Sequence, residues 1–206
     1  MEIIPSILAR NLEEVRNQVD LVKLVANVVH LDVCDGTLVP GATPSVSDQL
    51  NIVQHNICDV HLMVMDPARY LDGIKAEKVR YIYAHPKAAT FGVFLEQTKI
   101  LNLKAGVALS PEDPVELIRP YLDSISSVLI LTVSPGESGR PFQEDMIGKI
   151  TEVKNINSDL FVAVDGGIEQ SKFELIGHAD AAVIHSAIFN KPNPEESLLS
   201  LQGQSN

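Results

Sequence analysis

Short runs of apolar and β-branched residues alternate along the chain with amphipathic segments. The apolar runs predict eight β-strands, at residues 3–7, 28–33, 58–64, 81–84, 105–109, 128–133, 160–164 and 181–184. Near-continuous apolar strands are typical of a parallel sheet that is covered by helices. Eight strand and helix units in 206 residues therefore predict an α/β fold, a parallel eight-stranded (β/α)8 TIM barrel in a single domain, 1–206. A doubly wound open sheet is the alternative.

The segments between the strands carry helix start signals. Asn11 with Glu14 three residues on precedes a stripe of apolar residues, which predicts a capped amphipathic helix. A capping residue followed by proline recurs at Asp66, Asp113 and Asn193. Glu116 and Glu196 complete capping boxes at the last two of these starts. Weaker signals predict helices near 45–55, 89–102, 143–156 and 169–177.

Composition and charge exclude several classes of protein. A formal net charge of −11 and an isoelectric point near 4.9 argue against nucleic-acid binding, which needs a basic face. The sequence has neither an apolar run that could span a bilayer nor a basic and then apolar start, so we expect a cytoplasmic protein that does not bind membranes. Cys34 and Cys58 are too few for a disulfide framework, and we expect reduced thiols.

Polar residues stand where the predicted strands end. In chain order they are Ser6, Asp32, His61, His85, Ser110, Ser134, Asp165 and Ser186. In a barrel all of them would converge on one rim, where such enzymes keep their chemistry, whereas an open sheet would spread them along an edge.

Four of the polar side chains suggest a metal site. His30 and Asp32 are two positions apart, so a strand directs both to the same face. Burying them without partners would be costly, and either a hydrogen bond within the core or a divalent ion would compensate. His61 and Asp165 supply further ligands. Two imidazoles and two carboxylates suit one Zn²⁺, Mn²⁺, Fe²⁺ or Co²⁺ ion better than Mg²⁺ or Ca²⁺.

Eight short motifs occur along nearly the whole chain in the order of one known family. They are Pro5-Ser6-Ile7-Leu8, His30-Leu31-Asp32-Val33 with Asp35-Gly36, Leu38-Val39-Pro40, Asp59-Val60-His61-Leu62-Met63, Asp66-Pro67 with Arg69-Tyr70, Thr132-Val133 with Pro135-Gly136, Val164-Asp165-Gly166-Gly167 and Ser186-Ala187-Ile188-Phe189. In these motifs the chain resembles the ribulose-phosphate 3-epimerases. The resemblance implies a TIM-barrel isomerase that inverts C3 of a ketose phosphate, with ribulose 5-phosphate and xylulose 5-phosphate as the expected pair.

The resemblance also implies the roles of the four polar residues. Asp32 and Asp165 would be the proton-transfer pair, and with His30 and His61 they would hold the metal ion. This fits the chemistry, since a proton next to a carbonyl is removed by a carboxylate only when the developing enediolate is stabilised. One aspartate would act as base while the other acts as acid on the opposite face of the sugar.

Several substrate-binding residues are also implied by the family pattern. Sulfur-bearing side chains cap the intermediate in this family; Met63 matches, Cys34 stands where methionine is usual, and Leu131 replaces another methionine. Ser6 matches a residue that approaches the substrate, although a serine there could equally cap a helix.

The predicted phosphate site departs from the family pattern. Barrels commonly hold phosphate on backbone N–H groups after strands seven and eight, and Gly166 and Gly167 fit that role. Ser186, in a matching motif, is a further expected substrate-binding residue. Gly136 and Gly139 match glycines of the loop after strand six. The departures are Glu137, Ser138, Arg140 and His185. We interpret this as a rebuilt site in which Arg140 and a protonated His185 attract the phosphate, with a lost site as the alternative.

Other functions stay open at this point. The loop 41–44 departs from the family's Asn-containing loop, so a hexulose 6-phosphate such as allulose 6-phosphate is an alternative substrate. A non-catalytic sugar-phosphate-binding barrel would also explain the altered phosphate loop. A decarboxylase or aldolase on a related barrel would carry Asp-x-Lys at the end of strand two, and Asp32-Val33-Cys34 has no lysine. Because barrels of this family assemble through helix faces, we expect a homo-oligomer.

Overall fold

Eight parallel strands close into a barrel in chain order in the computed structural model, which describes residues 1–54, 56–136 and 141–205. The strands are β1 (Glu2–Ile7), β2 (Val28–Cys34), β3 (Ile57–Met63), β4 (Val79–Ala84), β5 (Ala105–Leu109), β6 (Ser127–Leu131), β7 (Phe161–Asp165) and β8 (Ala181–Ile184). Because β8 pairs with β1, the sheet has no free edge. The predicted (β/α)8 TIM barrel is confirmed, and the open doubly wound sheet is excluded.

Helices and turns surround the strands. The α-helices of the described residues are α1 (Leu12–Val22), α2 (Val46–Ile52), α3 (Phe91–Ile100), α4 (Gly148–Ile156), α5 (Ser186–Phe189) and α6 (Pro194–Gln204). The 3-10 helices in the same part of the chain lie at Pro67–Tyr70, Val115–Tyr121, Glu144–Ile147 and Gln170–Lys172. No helix of the described part of the chain combines the length and the apolar character that crossing a membrane requires.

The helix starts were predicted with mixed success. Asn11 and Asn193 cap α1 and α6, each accepting the backbone N–H three residues on, at 2.9 and 3.3 Å. The capping box at Glu116 was wrong, because the helix there is a 3-10 helix that starts after Pro114 and has no side-chain cap. Asp113 instead accepts the Ser110 N–H at 2.8 Å. Asp66 likewise caps no helix and accepts the Thr90 hydroxyl at 2.6 Å. The helix predicted over 169–177 is only a 3-10 turn.

Alternation along the strands separates two apolar layers. Odd-numbered residues of β2, such as Val29 and Leu31, pack outward against the helices, and even-numbered ones such as His30 and Asp32 point into the barrel. Deeper in the barrel, the Tyr83 ring lies where a side chain at Gly106 would be, since a Cβ there would come within 2.3 Å of the ring. The filled interior leaves space for a ligand at the carboxyl ends of the strands.

An arginine neutralises acids at the opposite, amino-terminal end of the barrel. Arg80 donates to both carboxylate oxygens of Asp59, at 3.0 and 2.5 Å, and to Glu2 at 2.7 Å. Its guanidinium lies 5.3 Å from the Tyr81 ring centroid and 4.9 Å from that of Phe161. Because Asp59 is buried, this cation is needed to compensate its charge.

We therefore predict that Arg80→Met destabilises the protein by about 3–5 kcal/mol, because it leaves a buried carboxylate without its partner. Urea unfolding followed by circular dichroism would measure the change. The double variant Arg80→Met with Asp59→Leu should regain most of the loss. A single variant within about 1 kcal/mol of the wild type would contradict this account of the ion pair.

Candidate active site and metal centre

Four polar side chains from three strands meet at the carboxyl end of the barrel. His30 and Asp32 come from β2, His61 from β3 and Asp165 from β7, and one potential ligand atom of each lies within 4.8 Å of the others. In the circular order of strands only β8 and β1 lie between β7 and β2. The closed barrel thus brings together two aspartates that are far apart in sequence.

Asp32 is held firmly by its neighbours. Its Oδ2 accepts the Ser6 hydroxyl at 2.6 Å, and its Oδ1 lies 3.2 Å from His61 Nδ1 and 3.7 Å from His30 Nε2. Ser6 thus contacts Asp32, and its approach to the substrate stays a prediction. The cap of α1 is Asn11.

Asp165 is fixed through its backbone. The N–H and the hydroxyl of Thr132 both donate to the Asp165 carbonyl, at 2.8 and 3.0 Å. The last residue of β7 is thereby tied to the end of β6, which leaves the carboxylate directed at the rim beside Asp32.

The residues at this rim fit a metal ion. His30 is fully buried, yet neither ring nitrogen has a hydrogen-bond partner among the described residues. Leaving a buried imidazole unpaired costs about 1–3 kcal/mol. A core His–Asp hydrogen bond does not resolve this, because the 3.7 Å separation of His30 and Asp32 is too long. A divalent ion bound by imidazole and carboxylate groups would give the His30 ring a partner and would compensate the charge of Asp32.

The surroundings of the two aspartates shift their pKa values in opposite directions. Burial and the nearby Asp32 charge raise the pKa of Asp165 well above its usual range. Burial also acts to raise the pKa of Asp32, but its contact with His61, the neighbouring imidazoles and the hydrogen bond from Ser6 lower it overall. Burial lowers the pKa of His30 to about 4, which favours the neutral ring that a metal requires.

A cavity opens directly over these groups and is lined by most of the predicted substrate-binding residues. Its walls include Ser6, Asp32, His61, Met63, Gly136, Asp165, Gly166, Gly167, His185 and Ser186. His30 is not in the wall and lies buried beneath it. Gly139 and Arg140, together with Glu137 and Ser138, lie outside the described residues.

The expected sulfur-bearing cap is only partly in the cavity. Met63 and Leu131 line the wall, while Cys34 packs behind Met63 with Val39 and faces a neighbouring groove. Burial raises the pKa of the Cys34 thiol, so it stays protonated and apolar. The cap over the cavity therefore consists of one thioether and one aliphatic side chain.

The loops after β7 and β8 contribute Gly166, Gly167 and His185 to the cavity wall. Gly166 and Gly167 both have positive φ, at 111° and 61°, and a Cβ on Gly166 would come within 2.5 Å of Val133. Only glycine fits this close turn. His185 lies beside it with Nδ1 2.9 Å from the Ser6 carbonyl, so Nδ1 carries the proton and donates. The side chain thus links the loop after β8 to β1.

His85 was missed as part of the site by sequence reasoning. Its Nε2 lies 3.0 Å from His61 Nε2, on the side of the ring away from Asp32. The signal was present, since His85 follows directly on β4, the strand that neighbours β3.

Comparison with known proteins decides the family. The sequence model described as "Ribulose-phosphate 3 epimerase family" matches residues 2–189. The chain belongs to this family. Ribulose-phosphate 3-epimerase of Bacillus subtilis (strain 168) is 31% identical, with 98% of this chain and 99% of that protein covered. The chloroplastic ribulose-5-phosphate-3-epimerase of Arabidopsis thaliana is 33% identical, over 96% and 75%. The family predicted from the sequence, and an isomerase of the epimerase class, are confirmed.

Similar solved structures show the fold alone. KGPDC from Streptococcus mutans in complex with D-R5P superposes with a TM-score of 0.74 at 13% identity, covering 98% of this chain and 96% of that one. The 3-hexulose-6-phosphate synthase of Salmonella typhimurium gives a TM-score of 0.70 at 14% identity, covering 100% and 98%. Both confirm the barrel and say nothing about this chain's reaction.

We predict that zinc stabilises the wild type but not His30→Leu. At a free concentration one hundred times Kd, one bound ion adds about 2.7 kcal/mol to the free energy of unfolding. Without metal, the variant should be about 1–3 kcal/mol more stable than the wild type, because it removes an unpaired buried imidazole. Urea titrations with and without zinc would measure both effects.

His178→Gln, which changes an exposed histidine, is the matched control and should respond to zinc like the wild type. Equal zinc stabilisation of the wild type and His30→Leu would contradict the assignment of His30 as a ligand.

Proposed function

We propose that the protein is a metal-dependent ketose-phosphate 3-epimerase that interconverts ribulose 5-phosphate and xylulose 5-phosphate. The observation that carries this proposal is the pair Asp32 and Asp165 beside two buried imidazoles, with both aspartates in the wall of a cavity at the rim of the barrel. Family membership supports the reaction class, and the relatives named above carry that activity in their names.

Inverting a carbon centre requires a proton to leave one face and another to arrive at the opposite face. A single carboxylate would return the proton to the side from which it came, so two groups are needed. Asp32, whose pKa is lowered, is the base in one direction, and Asp165, whose pKa is raised, is the acid. When the surroundings shift the pKa values of two carboxyl groups in opposite directions, the group with the higher pKa is the acid and the other is the base.

His30, Asp32, His61 and Asp165 would hold one divalent ion, with Zn²⁺, Mn²⁺, Fe²⁺ or Co²⁺ as the candidates. When bound, the ion supplies positive charge next to the substrate oxygens on which negative charge develops. Ser6 keeps the Asp32 carboxylate in place by its hydrogen bond at 2.6 Å. Met63 and Leu131 exclude water from the space above the reacting carbon.

The phosphate group would lie at the far side of the same cavity. Gly136, Gly167 and Ser186 line the cavity there, and their backbone N–H groups would bind a dianion without a fixed cationic side chain. The rebuilt site, in which Arg140 and a protonated His185 add attraction, stays a prediction.

We expect Asp32→Asn and Asp165→Asn to abolish deuterium exchange at C3 of ribulose 5-phosphate, with a loss of about 10²–10⁴-fold or more, because each removes one proton carrier. Proton NMR in D₂O would follow the exchange. Asp20→Asn, on the exposed face of α1, is the matched control and should keep wild-type rates. Exchange at the wild-type rate in either site variant would refute the two-aspartate mechanism.

A second measurement identifies the sugar. We expect faster turnover of ribulose 5-phosphate than of allulose 6-phosphate, and loss of both activities after removal of metal by a chelator, with recovery on adding zinc or manganese. Faster turnover of the hexulose phosphate would shift the proposal to that substrate. Binding of either sugar phosphate in calorimetry with no deuterium incorporation would instead identify a non-catalytic sugar-phosphate-binding barrel.

The single domain, the homo-oligomer and the cytoplasmic location expected from the sequence stay predictions.

A further inference from the structure

One buried histidine next to the metal site has no part in the reaction described above. His85 has no exposed surface, and its ring centroid lies 5.1 Å from that of His61. Its Nε2 is 3.0 Å from His61 Nε2, and its Nδ1 is 3.3 Å from the Ser110 hydroxyl. Both nitrogens of His85 are therefore engaged, one with a metal-ligand residue and one with a hydroxyl.

We infer that His85 is a positioning residue that selects the tautomer of His61 in which Nδ1 is free to bind the metal ion. This inference rests on the proposed metal site. His61 presents Nδ1 to Asp32 and Nε2 to His85. A neutral imidazole that binds an ion through Nδ1 must keep its proton on Nε2, and that N–H needs an acceptor.

The direction of the whole hydrogen-bond chain follows from this requirement. If His61 Nε2–H donates to His85, then His85 Nε2 is the acceptor and its proton is on Nδ1. His85 Nδ1–H then donates to the Ser110 hydroxyl. Were the chain reversed, His61 would carry its proton on Nδ1 and direct it at Asp32, and that nitrogen would have no lone pair for an ion.

Backbone contacts hold Ser110, the outer end of this hydrogen-bond chain, in place. Lys149 donates to the Ser110 carbonyl at 2.9 Å, and the Ser110 N–H donates to Asp113 at 2.8 Å. The Ser110 hydroxyl is also 3.4 Å from Lys87 Nζ, which can only donate. Because the hydroxyl oxygen has two lone pairs, it can accept from both Lys87 and His85 Nδ1–H, as the ligating direction requires.

Two substitutions at one position separate this role from simple packing. His85→Leu fills the space but offers no acceptor, whereas His85→Gln places an amide oxygen near the position of Nε2. We expect His85→Leu to weaken zinc affinity by about 10–100-fold and His85→Gln to regain most of that loss. Competition with a chromophoric chelator would give zinc affinities directly, without reference to enzyme activity.

A spectroscopic readout reports the tautomer itself. In the zinc-loaded wild type, ¹⁵N-detected imidazole spectra should show His61 with its proton on Nε2 and a downfield, slowly exchanging N–H. In zinc-loaded His85→Leu this N–H should move upfield and exchange faster. Ser110→Ala keeps both imidazoles and should weaken zinc binding, by a smaller factor than His85→Leu. This variant tests the inference if His85→Leu does not fold.

The outcomes separate this inference from the proposed function. A wild-type protein that binds no divalent ion would overturn both. A wild type that binds zinc, with His85→Leu and Ser110→Ala at wild-type affinity, would overturn only the role of His85. Equal losses in His85→Leu and His85→Gln would also overturn it, because they would show that shape rather than the acceptor matters.

Discussion

The structure depends on how one barrel compensates buried negative charge at its two ends. At the amino-terminal end Asp59 is paired with Arg80, a permanent cation that belongs to the chain. At the carboxyl-terminal end Asp32 and Asp165 lie close together, and among the described residues the basic side chains paired with Asp32 are the imidazoles of His30 and His61. Like charges at short range in a dry site are strongly unfavourable, so this end requires either a proton or an exchangeable cation.

That difference explains why one end is structural and the other is reactive. Arg80 donates two hydrogen bonds to Asp59 and lies over the rings of Tyr81 and Phe161, so the positive charge there is fixed. Asp32 and Asp165, in contrast, differ in proton affinity because their surroundings differ, and neither is locked by a fixed positive side chain in the described part of the chain. Acid–base chemistry requires groups whose protonation can change, and these two aspartates meet that requirement.

Much of the fold and of the site could be predicted because both follow from strand alternation. The apolar runs mark strands that are buried on both faces, and the polar residue that ends each run must then lie at the rim. The 3-10 helices could not be predicted in this way. Pro120 lies within the segment after β5 and lacks an N–H, so a regular α-helix is disfavoured although Glu116 suggests a cap.

The orientation of the side chains could not be predicted from the sequence either. His30 was predicted as a ligand, but only the structure shows that both its nitrogens lie buried without partners. His85 was identified as a strand-ending residue, and its contact with His61 depends on the position of two rings within one barrel. Cys34 was expected in the cap, yet it packs behind Met63. Pattern predicts which face a residue occupies, and packing decides which atoms meet.

The shared barrel shape also shows why chemistry has to be argued from the ends of the strands. A hexulose-phosphate synthase and this chain have closely similar folds at 14% identity, so the barrel itself does not specify a reaction. In this chain Cys34 follows two residues after Asp32, and its thiol is protonated and packed against apolar groups. With no fixed ammonium group at that position, charge next to Asp32 has to come from the two imidazoles and the ion they can hold. The reaction thus follows from a few side chains at the rim, and the barrel supplies the distances between them.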